Sequence, residues 1–291
     1  MAEIVCAAAV PHAPALVGLY DRAPQEAREI ITRSYRAVQQ QIRHARPDVL
    51  IVFANDHLTN SRIRAYPDFL IAGAAEHRGP HEWFKEWIGC RDWRVPGQPE
   101  VAKALFRGMT RRKIRMTHAD TPLNFDDNLS VPTVMMQLDE MSLPVVPVLQ
   151  NCTVPPYPDG PRCYQVGRAL AEIIRDDLPP RMRVGLLGSG GLSHEPGGER
   201  YYKIDPEFDR AFLELCCQGD HRRLLAEMTA ERMEAAGIGG TPELLAWFPV
   251  MAAIGECRGE SFGYTGWTNF RCGFGAVLWD LATTRTKTAA A

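Results

Sequence analysis

Three of the eight histidines stand in surroundings that suit chemistry. His12 lies in an apolar stretch between Pro11 and Pro14, whose rings stiffen the backbone around it. His57 follows Asn55-Asp56, side chains able to turn a chain sharply. His194 follows Ser-Gly-Gly-Leu-Ser, where glycine allows close backbone approach. Any one of them alone would be read as a surface or capping residue, and His44, His77, His81 and His221 keep that reading. A carboxylate partner is offered by GGTPELLAW: Thr241 is placed to cap a helix, Pro242 to open it and Glu243 to stand in its first turn. Glutamate is favoured there by the helix dipole in any case. The run that follows, residues 244–254, is apolar enough to be buried, and a buried helix turns its first acid inward. Two imidazoles and one carboxylate can hold iron(II) on one face and leave positions open for substrate and O2. A zinc hydrolase uses the same ligand types, so ligand identity alone does not separate the metals.

These residues need a frame that brings them together. Apolar runs at residues 4–10, 49–53, 145–149 and 184–187 read as buried strands, with Pro147 arguing against a central place for the third. His12, His57 and His194 each lie just beyond the end of such a run. The carboxyl ends of strands are where ligand crevices form in α/β folds. Helical spacing of apolar residues over 24–45, 163–178, 205–217 and 222–236 supplies the intervening elements. The alternation predicts one α/β domain over residues 1–281, a mainly parallel or mixed central sheet flanked by helices. Residues 76–98 and 153–161 read as loops, and residues 282–291 as a frayed tail.

Composition narrows the function. The chain has 291 residues, a net charge of −2 and no basic stripe along any predicted element, which argues against nucleic acid and anionic membranes as partners. The eight cysteines form no CxxC pair. With no basic region ahead of the apolar start, they read as reduced thiols of a cytoplasmic protein. No stretch approaches the roughly 20 apolar residues of a membrane span.

PHAPALVG, FANDH, LLGSGGLSH and GGTPELLAW together resemble the catalytic (β) subunits of class III extradiol dioxygenases, nearest in type to that of protocatechuate 4,5-dioxygenase. The resemblance spans residues 4–281, and GSGGLSH is its most specific motif. It implies a single α/β domain, Fe(II) held by His12, His57 and Glu243, and His194 as the acid/base. It also implies a catechol-type or 2-aminophenol-type substrate, O2 as co-substrate, and an assembly of several chains, in some relatives with a small companion subunit as a lid. One segment departs from the pattern: in FDDNLSVP, Asp127 stands where many members carry a histidine near the metal. Either the acid takes over part of the hydrogen bonding or the ring substituents differ, and His118 is an alternative contributor.

The expected chemistry is extradiol ring opening. Adjacent substrate heteroatoms and O2 are held at one metal, while His194 accepts a proton from the incoming hydroxyl and later returns one. Asp56 and Asp127 are candidates to orient the ligand imidazoles, and Thr268 and Asn269 to hydrogen-bond a ring substituent. The rival readings are a zinc hydrolase with the same three ligands and a non-catalytic binding relative.

Overall fold

A computed structural model describes residues 1–281; the tail assigned to 282–291 lies outside the described residues. The strands are β1 (Glu3–Val10), β2 (Val49–Asn55), β3 (Phe69–Ala72), β4 (Glu76–Gly79), β5 (Trp93–Pro96), β6 (Thr117–Ala119), β7 (Val145–Gln150), β8 (Arg183–Ser189), β9 (Gly259–Thr265) and β10 (Phe274–Trp279). Eight of them form one sheet in the order β6-β3-β7-β2-β8-β1-β10-β9. The centre, β7-β2-β8-β1, is parallel. Antiparallel pairings of β3 with β7, β10 with β1 and β9 with β10 make the sheet mixed, as expected.

Every residue of β2 and β7 is buried, which a sheet covered on both faces requires. Their side chains alternate between two cores. Val49, Ile51, Phe53, Val146 and Val148 pack with the helices Gly160–Asp177 and Phe248–Ile254. Leu50, Val52, Ala54, Val145 and Leu149 pack with the helix Gln25–Ala45 on the other face. That helix begins after Pro24 and ends at Arg46 in the left-handed conformation.

Four expectations are corrected. Pro147 sits in an interior strand, because β3 pairs only with Val148 to Gln150 and leaves that flank of Pro147 open. Residues 76–98 are not a loop: β4 and β5 pair with each other and enclose the helix Glu82–Ile88. The helix read over 222–236 is two, His221–Glu227 and Ala230–Ala236, since Thr229 caps Arg232 and restarts the chain. The run after Glu243 is also broken. A 3-10 turn, Thr241–Ala246, precedes the helix Phe248–Ile254, and Pro249 has no N–H to continue a helix from Leu245. Among the described residues no helix is long and apolar enough to cross a membrane.

One feature of the topology positions the site. β2, β8 and β1 are adjacent and parallel, so the segments bearing His57, His194 and His12 leave the same edge of the sheet side by side.

Candidate metal centre and active site

His12 leaves β1 two residues past its end and is fully buried. Its Nδ1 is 2.9 Å from Ser189 Oγ, and that hydroxyl donates its own hydrogen to the Asn128 carbonyl at 3.1 Å. Ser189 must therefore accept from His12, so Nδ1 carries the hydrogen and Nε2 presents a lone pair. Nε2 lies 3.2 Å from Glu243 Oε2, yet out of line for a hydrogen bond, and has no other partner.

His57 repeats the arrangement with different partners. Its Nδ1 faces Asp126 Oδ1 and Asp127 Oδ1, each at 3.1 Å, and its Nε2 is 3.2 Å from Glu243 Oε1. Asp126 is held in turn by Thr59 Oγ1 at 2.6 Å and by the Asn128 N–H at the start of the helix Asp127–Met136. In His194, Nδ1 donates to the Leu192 carbonyl at 2.7 Å and Nε2 lies 3.2 Å from the same Glu243 Oε1. The His12 and His57 ring centroids are 5.3 Å apart.

Glu243 is buried at the centre of this group, where its Oε2 also accepts the Gly191 N–H at 2.9 Å. The backbone around it allows no side chain: a Cβ on Gly190 would stand 2.3 Å from the Glu243 carbonyl oxygen. Thr241 does not cap the turn. Its hydroxyl accepts from His194 N–H and tethers the two segments.

The electrostatics follow from this geometry. Burial pulls the His57 imidazole down, but Asp126 and Asp127 against Nδ1 hold it well above its ordinary range. Burial likewise opposes protonation of His194, and Glu243 and Cys272 reverse it. Burial disfavours the Glu243 carboxylate, yet the surrounding imidazoles hold it well below the usual range. Neutral imidazoles would aim three Nε2 lone pairs at one carboxylate, so the group calls for added positive charge, either protons or a cation. A buried imidazole nitrogen with no hydrogen-bond partner, 3.2 Å from a carboxylate oxygen, fits a metal ion. Donor atoms of His12, His57 and Asp127 also lie within 4.8 Å of one another, a second way to complete a three-ligand set.

The remaining candidates separate. Asp127 sits against His57 Nδ1. Asp56 does not touch an imidazole; its Oδ1 accepts from the backbone and side chain of Asn60 and closes the turn after β2. His118 is in β6 beside Asp120 and Phe106, outside the site. Thr268 and Asn269 are exposed on a 3-10 turn, and the next residues, Phe270, Arg271 and Cys272, face the cavity instead. Sequence reasoning missed Asp126, Ser189 and Arg271. Asp126 was detectable as a helix cap, whereas Ser189 is an ordinary strand-end serine until the fold sets it beside His12.

The four residues open into a cavity of about 500 Å³. Leu19, Trp83, Trp87, Ile88 and Phe270 supply apolar wall. Trp83 and Trp87, on the helix between β4 and β5, are 45% and 53% exposed at its edge.

Residues 6–275 match the family described as the catalytic LigB subunit of aromatic ring-opening dioxygenase. A 2,3-dihydroxyphenylpropionate/2,3-dihydroxicinnamic acid 1,2-dioxygenase of Photorhabdus laumondii is 23% identical, over 90% of this chain and 92% of the relative. One from Burkholderia vietnamiensis is 26% identical over 91% and 94%. A gallate dioxygenase of Pseudomonas putida is 36% identical over 35% of this chain and 29% of its own length. In fold, the chain is similar to a crystal structure of the uncharacterized protein JW3007 from Escherichia coli K12, with a TM-score of 0.56 at 16% identity, covering 94% and 99% of the two chains. With a family match over nearly its whole length, the chain belongs to the aromatic ring-opening dioxygenases, as a catalytic LigB subunit.

Proposed function

We propose that the protein is an Fe(II)-dependent extradiol dioxygenase that opens a catechol-type ring with O2, with His12, His57 and Glu243 as ligands and His194 as the proton carrier. The observation that carries this reading is the convergence of His12 Nε2 and His57 Nε2 on the two oxygens of one buried acid. Glu243 is preferred over Asp127 because it faces the Nε2 atoms of both histidines, whereas the contact of Asp127 is with His57 Nδ1, on the side that also serves Asp126. When bound, a ferrous ion supplies neighbouring open positions for a diol and O2 and a path for electron density between them.

The protein's own groups do the rest. Ser189 and Asp126 fix the tautomers of the two ligand imidazoles. The Leu192 carbonyl does the same for His194 and turns Nε2 towards Glu243 and the cavity, where it would take a proton from the substrate hydroxyl and return it to the opening ring. The apolar wall lies along the cavity and keeps bulk water from the ring. Trp83 and Trp87 at the edge form the surface on which a small companion subunit would sit, a point that co-purification and light scattering decide. All eight cysteines are unpaired, in keeping with a cytoplasmic setting that cell fractionation would check.

Protein purified without air, loaded with Fe(II) and given a catechol should consume O2 and yield a yellow ring-opened acid, whereas a zinc-loaded sample should not. Metal-independent turnover, or no O2 uptake with any catechol, gallate-like triol or 2-aminophenol, would sink the proposal.

A further inference from the structure

Arg271 ends the 3-10 turn Thr268–Phe270 and lines the same cavity as His12, His57 and Glu243. Its guanidinium stands 4.6 Å over the Tyr201 ring and 5.5 Å over Tyr202, and Nη1 donates to the Tyr201 hydroxyl. These contacts hold the fork in place without neutralising it. Among the described residues no carboxylate lies within ion-pair distance of Arg271. The cavity's own acids, Asp127 and Glu243, are engaged with imidazoles. Nε is shielded from solvent and has no hydrogen-bond partner. A half-buried cation with an idle donor is costly to keep unless something anionic meets it. The planar fork of arginine suits a carboxylate above other anions of similar size.

We propose that Arg271 is the specificity-determining residue of this site and that the ring substrate carries a carboxylate, which pairs with its guanidinium. The inference rests on the ring-opening reading above and adds the class of substituent to it. The diol sits at the ligand cluster, the ring lies along the apolar wall, and the carboxylate reaches Arg271 through a short side chain or directly from the ring. A cavity of about 500 Å³ accommodates such a molecule. Tyr201, stacked beneath the guanidinium, is the positioning residue.

The test compares two acids, 3,4-dihydroxybenzoate and 2,3-dihydroxyphenylpropionate, with their primary amides, which keep shape and lose charge. Binding to the Fe(II)-loaded protein is measured without O2, and KM and kcat with O2. The wild-type protein should prefer at least one acid over its amide by about tenfold or more, the size of a charge-assisted hydrogen bond. Arg271→Met should erase that preference through KM, with kcat for the amide within about threefold of wild type, and Arg271→Lys should restore part of it. Equal affinity of both acids and their amides in the wild type overturns the proposal, as does an Arg271→Met variant that keeps the preference or loses acid and amide alike. Charge-selective binding without O2 uptake overturns the ring-opening reading and leaves the Arg271 assignment standing.

Discussion

Each imidazole at the centre commits its Nδ1–H to a different acceptor: a hydroxyl for His12, carboxylates for His57 and a carbonyl for His194. The acceptor sets the tautomer, and the tautomer decides what the other nitrogen can do. Despite burial, both rings are held above the ordinary imidazole range, His57 by the acids behind its Nδ1 and His194 by Glu243 at its Nε2 and by Cys272, so His194 keeps a proton site that faces the cavity. His194→Phe should therefore cut turnover by about 10²–10⁴-fold, the usual worth of a positioned acid/base, with iron content unchanged by metal analysis. Iron lost together with activity would make His194 a ligand instead. At this scale the sequence was legible where chemistry demands a rare side chain in a special setting, as at His12, His57, His194 and Glu243. It was silent where the partner is commonplace. Nothing about Ser189 marks it until folding sets it beside an imidazole, Asp126 shows only as a helix cap, and Asp56 looked equally suitable before its carboxylate was seen closing a turn.

Elements hold these residues by contact between backbones. The segment after β8 passes so near the turn carrying Glu243 that the Gly190 position has room for hydrogen only. Gly190→Ala should push Glu243 off its position and destabilise the fold by about 1–3 kcal/mol, as overpacking does. A lowered melting temperature together with reduced iron content would be seen; unchanged iron content would show that the two segments move apart freely. The strands and long helices were readable because burial on both faces and a 3.6-residue period leave strong patterns. The 3-10 turn at Thr241–Ala246 was not, because proline at 242 opens a helix of either kind and only Pro249 breaks the run that follows. The β4–β5 pair escaped notice because four residues per strand are too few for alternation to stand out, although β5 does alternate between buried and exposed positions.

For the whole molecule, His77 in β4 is one source of acid sensitivity. Burial pushes this imidazole down to about 4 from an ordinary 6.5, and its ring packs edge-on against Phe125. Between those values the unfolded chain binds a proton that the folded chain refuses. Stability therefore falls as pH drops from 6.5 towards 4, by up to about 3 kcal/mol, with no further loss from this group below that. His77→Phe should flatten that decline when denaturant midpoints are compared at pH 7 and pH 4.5. Parallel declines in the two proteins would show that His77 already titrates normally. The overall architecture, a mixed sheet with its site at the carboxyl edge, followed from strand–helix alternation. The flanking strands β3, β9 and β10 add the antiparallel pairings that alternation alone does not predict, while β6 joins β3 in parallel.

Because β2, β8 and β1 are neighbours in one sheet, the interval between the histidine-bearing segments is set by the ladder spacing of about 4.8 Å. That interval works as a fixed gauge, which cannot be retuned without unzipping the middle of the molecule. Trp83, Trp87 and Arg271 hang on turns and on a short helix outside that gauge. Evolution and engineering thus have two separable parts to work with: a rigid jaw that dictates the bond to be broken, and a replaceable collar that dictates which ring is admitted.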